Sequence, residues 1–405
     1  MSWPAPAFAN STTTPILDRL VPLPTRPKRA AKATALQMSV GAVIGGGIAL
    51  VSIFGAKWFS KSFINWDSFG PLSLPLFIFY FYASIYLGII VHETGHLVAG
   101  SFSGYRVDFM RVGPVQINRP FKVSWQPKLG IGAAGMAGVL PGKIRNAHAS
   151  AIFMILGGPL ANMISAGGVL LLLPKPLSAF TTWFVGISLL LGVMNLVLFV
   201  RTGVVSDGRR IWTILRKTPE GERWLAIMQM CTALWDGVLP EKLDPEMLKK
   251  ATAIVDNWLD TVAGYTLAFS TAFDQHNDVD AARFLETALQ HSPYTTLAGK
   301  EGLLVEAAIF QAKRRGRIDL AEQWLAEIPQ KTLTPGARYL AEAAILEARN
   351  EPSAALQKLN ESEKAVSRVP AGFQRDLMLS SLARRKNEIG AQLAVAPIAG
   401  SQLQP

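Results

Sequence analysis

The chain has a single cysteine, Cys231, and few charged residues for its length of 405. One thiol excludes a disulfide framework and any zinc site built from several cysteines, so a bound metal would need His, Asp or Glu ligands. Charged residues make up 17% of the chain and hydrophobic residues 50%, whereas soluble domains have about 25% charged residues. This composition excludes a largely disordered chain and is not typical of a soluble DNA-binding protein.

Acidic residues are particularly scarce in the first half. Residues 1–217 contain 20 Lys and Arg but five acids, a net charge of +15, and residues 218–405 have a net charge of −4. The overall charge of +11 would by itself suggest a nucleic acid or a membrane surface as partner. Because that charge lies entirely in the first half, the sequence indicates two different kinds of domain.

Four stretches of the first half contain no Asp, Glu, Lys or Arg, and each has at least 24 residues. About 20 apolar residues cross a bilayer as a helix, so we predict transmembrane helices at about 33–56, 68–98, 146–174 and 176–200. The successive hydrophilic segments contain 5, 2, 7, 1 and 5 Lys and Arg. By the positive-inside rule both termini and the central loop are cytosolic, which predicts a multi-pass protein of the cell (inner) membrane.

The central loop has its own pattern. Val107 to Trp125 alternates apolar and polar residues around Gly113-Pro114, which predicts a β-hairpin. The stretch from Gly130 to Gly142 is apolar and rich in glycine but too short to span a bilayer. It is either a re-entrant or interfacial segment or a simple surface loop.

The second charge-free run leads directly into His92-Glu93-Thr94-Gly95-His96, an H-E-x-x-H motif. Residues four apart lie on one face of a helix, so His92 and His96 can bind one Zn²⁺. Glu93 can then take a proton from zinc-bound water, whose pKa falls to about 7. Ionisable residues inside an apolar helix usually mark function; the alternative is a polar helix end among lipid headgroups. We predict a catalytic site with one zinc ion per chain.

A catalytic zinc site has three protein ligands and one open position. Asp207 follows the fourth charge-free run on the same cytosolic side as the histidines, and we predict it as the third ligand. The alternative is that Asp207 caps a short helix from Gly208 to Lys217. The other candidate ligands are Asp18, Asp67, Asp108 and His148.

Three motifs resemble the site-2 protease family of intramembrane zinc metalloproteases. The first is HETGH at 92–96. The second is Gly-Gly-Pro-Leu-Ala-Asn at 157–162, which resembles the family's G-G-P-x-x-N segment. The third, from Asn195 to Asp207-Gly208, resembles its asparagine-to-aspartate-glycine segment. The resemblance covers roughly residues 70–217.

This resemblance implies a role for each matched residue. His92, His96 and Asp207 would ligate zinc and Glu93 would activate water. Asn162 and Asn195 would position the substrate or the transition state. For the asparagines, hydrogen bonding between membrane helices is the alternative.

The second half has no run long enough to span a bilayer, and its apolar residues recur at helical spacing. Similar segments begin at Asn277, Gly316 and Asn350, each with a turn residue followed by Ala five positions later. Their spacings of 39 and 34 residues resemble degenerate tetratricopeptide repeats, which stack helix pairs around a concave binding surface. A plain helical bundle is the alternative.

The predicted architecture is an all-α membrane protein with about four transmembrane helices, a small cytosolic β-hairpin or re-entrant loop, and a soluble helical repeat-like domain. Its segments are a disordered basic leader (1–32), a membrane-embedded metalloprotease domain (33–217), a cytosolic tetratricopeptide-like domain (218–392) and a disordered tail (393–405).

The predicted function is zinc-dependent cleavage of membrane-anchored proteins within or next to a transmembrane segment. The expected partners are those substrates, the lipid bilayer and a protein bound to the helical domain, with no nucleic acid. The alternative function is a non-catalytic membrane scaffold that retains the protease fold, although a scaffold has no need of the base Glu93.

Overall fold

The computed structural model describes residues 15–19, 23–25, 73–118, 121–125, 135–174, 177–201 and 204–395. These residues form a mostly helical protein with a small antiparallel sheet. The chain divides into two compact units. One is Thr25–Thr232, here named the site unit, and the other is Met1–Pro24 with Ala233–Pro405, here named the helical unit. The predicted helix at 33–56 lies outside the described residues.

Part of the leader that was predicted to be disordered is helical. Helix α1 covers Ile16–Arg19 and belongs to the helical unit. The side chains of Ile16 and Leu17 are buried, so tertiary contacts hold a segment that is too short to be helical alone.

Three apolar helices pack together in the site unit. They are α2 (Ser73–Phe102), α3 (Ala147–Leu172) and α4 (Ala179–Leu196), close to the predicted helices at 68–98, 146–174 and 176–200. Capping side chains fix two of the starts, because Asn146 accepts from the Ala149 N–H and Ser178 from the Thr181 N–H. Among the described residues one helix, α3, is long and apolar enough to cross a membrane, and α4 is shorter but also apolar.

The loop after α2 forms a sheet. Strands β1 (Tyr105–Val112), β2 (Val115–Asn118), β3 (Lys122–Trp125) and β4 (Gly135–Pro141) are antiparallel in the order β3-β2-β1-β4. The predicted hairpin is confirmed, with Val112 opposite Val115 and the turn at Gly113-Pro114.

The described part of the Gly-rich stretch, for which a re-entrant or interfacial segment and a surface loop were the alternatives, is a strand. It forms β4, which pairs with β1 from Tyr105 opposite Pro141 to Val112 opposite Gly135. Tyr105 and Val139 pack with Met154 of α3 in a buried cluster, so the sheet is fixed against the helices.

A short antiparallel hairpin follows α4. Strands β5 (Val200–Arg201) and β6 (Val204–Val205) pair and lead into α5 (Asp207–Leu215) and α6 (Pro219–Trp235). The fourth apolar helix therefore ends at Leu196 rather than near 200.

The helical unit consists mainly of α-helices. They are α7 (Pro245–Ala251), α8 (Leu259–Asp274), α9 (Asp278–Gln290), α10 (Leu297–Lys313), α11 (Ile318–Glu327), α12 (Ala337–Ala348), α13 (Pro352–Val366) and α14 (Phe373–Val395). The tail predicted to be disordered from 393 is thus helical to Val395.

The second helix of each pair α8–α9, α10–α11 and α12–α13 begins in the same way. The residue two positions before it has a left-handed backbone: His276 (φ 58°), Gly316 (φ 62°) and Asn350 (φ 62°). A fully buried alanine follows five positions later, at Ala281, Ala321 and Ala355. The predicted alignment is off by one in the first segment, because His276 rather than Asn277 takes the turn conformation. Membership of the tetratricopeptide class stays a prediction.

Candidate metal centre

Helix α2 carries the H-E-x-x-H motif into the interior of the site unit. Its regular α-helical backbone places His92 and His96 one turn apart, with ring centroids 4.7 Å from each other. His92, Glu93 and His96 are each at most 8% exposed. Three ionisable side chains buried together in an apolar helix need partners.

Asp207 is the first residue of α5, and its side chain is not the helix cap. The cap is Ser206, whose hydroxyl accepts from the Arg209 N–H at 3.2 Å. The same hydroxyl donates to the Val197 carbonyl and accepts from the Phe199 N–H, which fixes the β5–β6 hairpin at its base. The carboxylate of Asp207 is therefore free to reach α2.

Three ligand atoms converge on one point. Asp207 Oδ2 lies 3.1 Å from His92 Nε2 and 3.6 Å from His96 Nε2, and the two Nε2 atoms are 3.1 Å apart. A tetrahedral ion with ligands at 2.0–2.1 Å separates those ligands by about 3.3 Å. His92, His96 and Asp207 could thus hold a metal ion as they stand.

The opposite side of each imidazole is also held. His96 Nδ1 lies 3.1 Å from the carbonyl oxygen of Met154 on α3. A carbonyl only accepts, so Nδ1 carries a proton, and loss of the Nε2 proton would leave Nε2 bare, as a metal ligand requires.

The partner of His92 is an amide side chain. Asn162 Nδ2 lies 3.3 Å from His92 Nδ1, and the buried Oδ1 of Asn162 has no partner in this placement. A half-turn of the amide, which exchanges Nδ2 and Oδ1, lets Oδ1 accept the Nδ1 proton of His92. The buried oxygen is then satisfied, and Nε2 of each ring is the nitrogen that would lose its proton to bind a cation.

Helices α2 and α3 can approach this closely because of glycine. A Cβ on Gly95 would lie 2.3 Å from the Gly157 carbonyl oxygen, and one on Gly158 would lie 2.4 Å from His96 Nε2. The Gly-Gly pair that begins the segment at 157–162 therefore gives the backbone crossing and the room for His96.

Glu93 is beside the three ligands without being one of them. Its carboxylate is within electrostatic range of His92, His96 and Asp207, and the backbone N–H of Ala137 in β4 donates to it. The buried side chain of Arg111 on β1 is also close enough to Glu93 for their charges to interact. A carboxylate in this position can accept a proton from a water molecule at the metal.

The electrostatics of Asp207 suit a ligand. Burial alone would raise the pKa of Asp207, but hydrogen bonds with His92 and His96 hold that pKa below its ordinary value. The carboxylate is therefore ionised at neutral pH, which is the form that binds a cation.

The other candidate ligands have other positions. Asp18 belongs to α1, where it pairs with Arg315, and the His148 ring bonds Glu222 at 2.6 Å. Asp108 is buried on β1 and is not one of the three clustered ligands. Asp67 lies outside the described residues.

The sequence analysis gave Asn162 and Asn195 the same positioning role, with hydrogen bonding between helices as the alternative, and it missed Arg111. The amide of Asn195 donates to the Leu191 carbonyl one turn earlier at 2.9 Å, so no contact with the ligands is evident and its positioning role stays a prediction. No signal in the sequence set Arg111 apart, because its strand also contains the charged residues Arg106 and Asp108.

Comparison of the chain with protein-family models, with curated proteins and with solved structures finds no match.

Proposed function

We propose that the chain is an intramembrane zinc metalloendopeptidase that cleaves membrane-anchored proteins within or next to a transmembrane segment. The observation that carries the proposal is the convergence of His92, His96 and Asp207, with the buried carboxylate of Glu93 beside them. The motifs at 92–96, 157–162 and 195–208, which resemble those of site-2 proteases, agree with it.

The donor set supports zinc. Two imidazoles and one carboxylate, with room for a further ligand, are typical of catalytic zinc. The same donors also suit Fe(II), but a fourth ionisable group that does not ligate, Glu93, favours hydrolysis. When bound, zinc would polarise the scissile carbonyl and lower the pKa of water.

The protein's own residues would perform the proton transfers. Glu93 would take a proton from the attacking water and deliver it to the nitrogen of the leaving amine. The Met154 carbonyl and the Asn162 amide would keep both imidazoles in the tautomer that ligates. Arg111 would hold the Glu93 carboxylate in place between proton transfers.

The substrate strand would lie along β4. In the described sheet β4 pairs on one side, with β1, and the Ala137 N–H points instead to Glu93. The open edge of β4 therefore faces the proposed base. An unwound substrate segment that adds to this edge would bring its peptide bonds past Glu93 in extended form.

The surface of the apolar helices supports a lipid environment. Large apolar side chains are exposed on α2 and α3, among them Phe79 (64%), Ile164 (70%) and Leu171 (85%). In the most apolar stretch of 18 residues in α3, 28% of the residues are buried. The core helix of a soluble protein would be mostly buried. We infer that lipid covers these faces and that the four predicted helices span the membrane, with both termini in the cytosol.

The test separates an enzyme from a scaffold. Purified protein should contain about one zinc per chain, and His92→Ala or Asp207→Ala should lose most of it. Glu93→Gln should keep the zinc and lose cleavage of a membrane-anchored reporter. Normal cleavage by Glu93→Gln would overturn the mechanism. A wild-type protein that contains zinc but does not cleave the membrane-anchored reporter would favour the scaffold.

A further inference from the structure

The leader of this chain is bound to the helical unit as a peptide ligand is bound to a receptor. Ile16 and Leu17 are 7% and 1% exposed, although α1 has four residues and no secondary structure adjoins it in the described part of the leader. A single helical turn is not stable by itself in water. The surface that receives it must therefore supply the order.

Side chains from three helices hold the leader backbone. The N–H groups of Ile16 and Leu17 donate to the two carboxylate oxygens of Glu286 on α9, at 3.0 and 2.9 Å. The Leu17 carbonyl accepts from Gln311 Nε2 on α10 at 2.7 Å and from Trp324 Nε1 on α11 at 3.4 Å. Because these contacts involve the peptide backbone, they do not depend on the side chains of the bound peptide.

Two further features select the side chains. Ile16 and Leu17 are enclosed as adjacent aliphatic groups, and Asp18 forms an ion pair with Arg315. The site therefore recognises two aliphatic residues followed by an acid.

The buried polar side chains that contact the leader are arranged to bind a peptide backbone. Gln311 and Trp324 are both fully buried, yet their amide and indole N–H groups point to the leader carbonyl. Without the leader these donors would lack that partner, which is costly for buried polar groups. A surface that only covered two aliphatic side chains would not need them.

We propose that Glu286, Gln311, Arg315 and Trp324 form a binding site for a short peptide with two aliphatic residues followed by an acid, and that Ile16-Leu17-Asp18 fills it as a tethered, displaceable ligand. The sequence separation between ligand and site is 269 to 307 residues, so local chain connectivity does not impose the contact. A segment of the same chemistry from a partner protein would compete with the leader. The site shares no residue with the metal centre and does not rest on the proposed peptidase activity.

The experiment uses the full-length chain in detergent and a fluorescent peptide with the sequence of residues 11–24. Leu17→Asp in the chain should release the leader and expose the site. By fluorescence anisotropy the peptide should then bind at least about tenfold more tightly to this variant than to the wild type, because the tethered leader no longer competes. A chain that lacks residues 1–24 gives the same readout if Leu17→Asp does not fold.

Matched controls identify the site. A peptide with Leu17→Asp should not bind, and adding Gln311→Leu to the released chain should abolish binding. A peptide with Asp18→Arg should bind a released chain only when that chain carries Arg315→Asp. Folded released chains that do not bind the peptide, or equal binding by released and wild-type chains, would overturn the proposal.

Discussion

The protonation of two imidazole nitrogens decides what the metal centre can bind. His96 Nδ1 faces a backbone carbonyl, which no substitution of that residue removes. His92 Nδ1 faces the side chain of Asn162, which is fully buried. The two histidines therefore differ in how their orientation can be tested, and Asn162 is the residue that allows it.

We expect Asn162→Ala to weaken zinc binding by about 10–100-fold, the range for loss of a group that orients a metal-ligating histidine. Asn162→Asp should retain most of the affinity, since a carboxylate also accepts the Nδ1 proton of His92. The measurement is zinc competition with a chelator.

Asn195→Ala is the matched control for this prediction. It removes the same amide from the neighbouring apolar helix, but that amide bonds its own helix at Leu191, so zinc affinity should stay within about twofold on the same reasoning. Equal losses in Asn162→Ala and Asn195→Ala would contradict the assigned role.

The residues of the metal centre differ in how far the sequence alone predicts their positions. The spacing of His92, Glu93 and His96 is local, so helix geometry alone predicts their shared face. The prediction for Asp207 depended on the predicted topology and on the motif at 195–208, since no local spacing connects it to the histidines. The contacts of Met154 and Arg111 depend on which helix and strand pack on α2, and this information is not local in the sequence.

Among the elements, α2 and α3 form the contact on which the centre depends. Their backbones meet at Gly95 and Gly157, and Gly158 faces the His96 ring. Small residues allow such close approach between helices in membranes. In this protein the same approach also brings the Met154 carbonyl and the Asn162 amide to the two histidines.

We expect Gly158→Ala to reduce zinc content strongly while the helices remain formed. The added Cβ would lie 2.4 Å from His96 Nε2, so the ring must move away from the other ligands. Metal analysis together with far-UV circular dichroism checks this prediction.

Gly168→Ala lies in the same helix, and beyond its chain neighbours and its own helix backbone no described atom lies within 4 Å of the added Cβ. Its zinc content should equal that of the wild type, and its helix should be slightly more stable because Ala favours a helix by about 1 kcal/mol over Gly. Full zinc content in Gly158→Ala would show that the ring has room that the structure does not give it.

Elements with a regular pattern were predictable, and those defined by partners were not. Alternation around Gly113-Pro114 was enough for the β1–β2 hairpin. Strand β4 contains Gly135 and Gly138 and does not alternate clearly, so its pairing with β1 could not be read from its own residues. Likewise, a histidine at 276 is not a standard turn residue, which shifted the first predicted helix pair by one position.

On the scale of the whole molecule, the change in charge along the chain and the division into compact units place the domain boundary at different residues. Acidic residues become frequent after 217, which led us to begin the helical domain there, but the compact site unit runs to Thr232. The reason is α6, whose Leu225 packs in the buried cluster with Ile214 and Met154. The leader joins the helical unit through contacts that no local pattern could predict.

One carboxyl group in the helical unit, that of Glu306, should make the stability of this unit depend on pH. Burial raises the pKa of Glu306 on α10 from 4.5 to about 7, with Asp274 adding to the shift and Arg385 opposing it. The folded state then binds a proton between pH 4.5 and 7 that the unfolded chain has already lost. The contribution of Glu306 to stability must therefore fall as the pH rises through this window.

We expect Glu306→Gln to unfold at a higher temperature than the wild type at pH 8, by on the order of 5 °C, and at nearly the same temperature at pH 4.5. Thermal melts followed by circular dichroism across this range measure the difference. The exposed Glu351 supplies the control, since Glu351→Gln makes the same substitution at the surface and should not give the gain in melting temperature at pH 8. A Glu306→Gln difference that is constant from pH 4.5 to 8 would mean that the carboxylate is ionised in the folded protein throughout, held by Arg385 rather than protonated by burial.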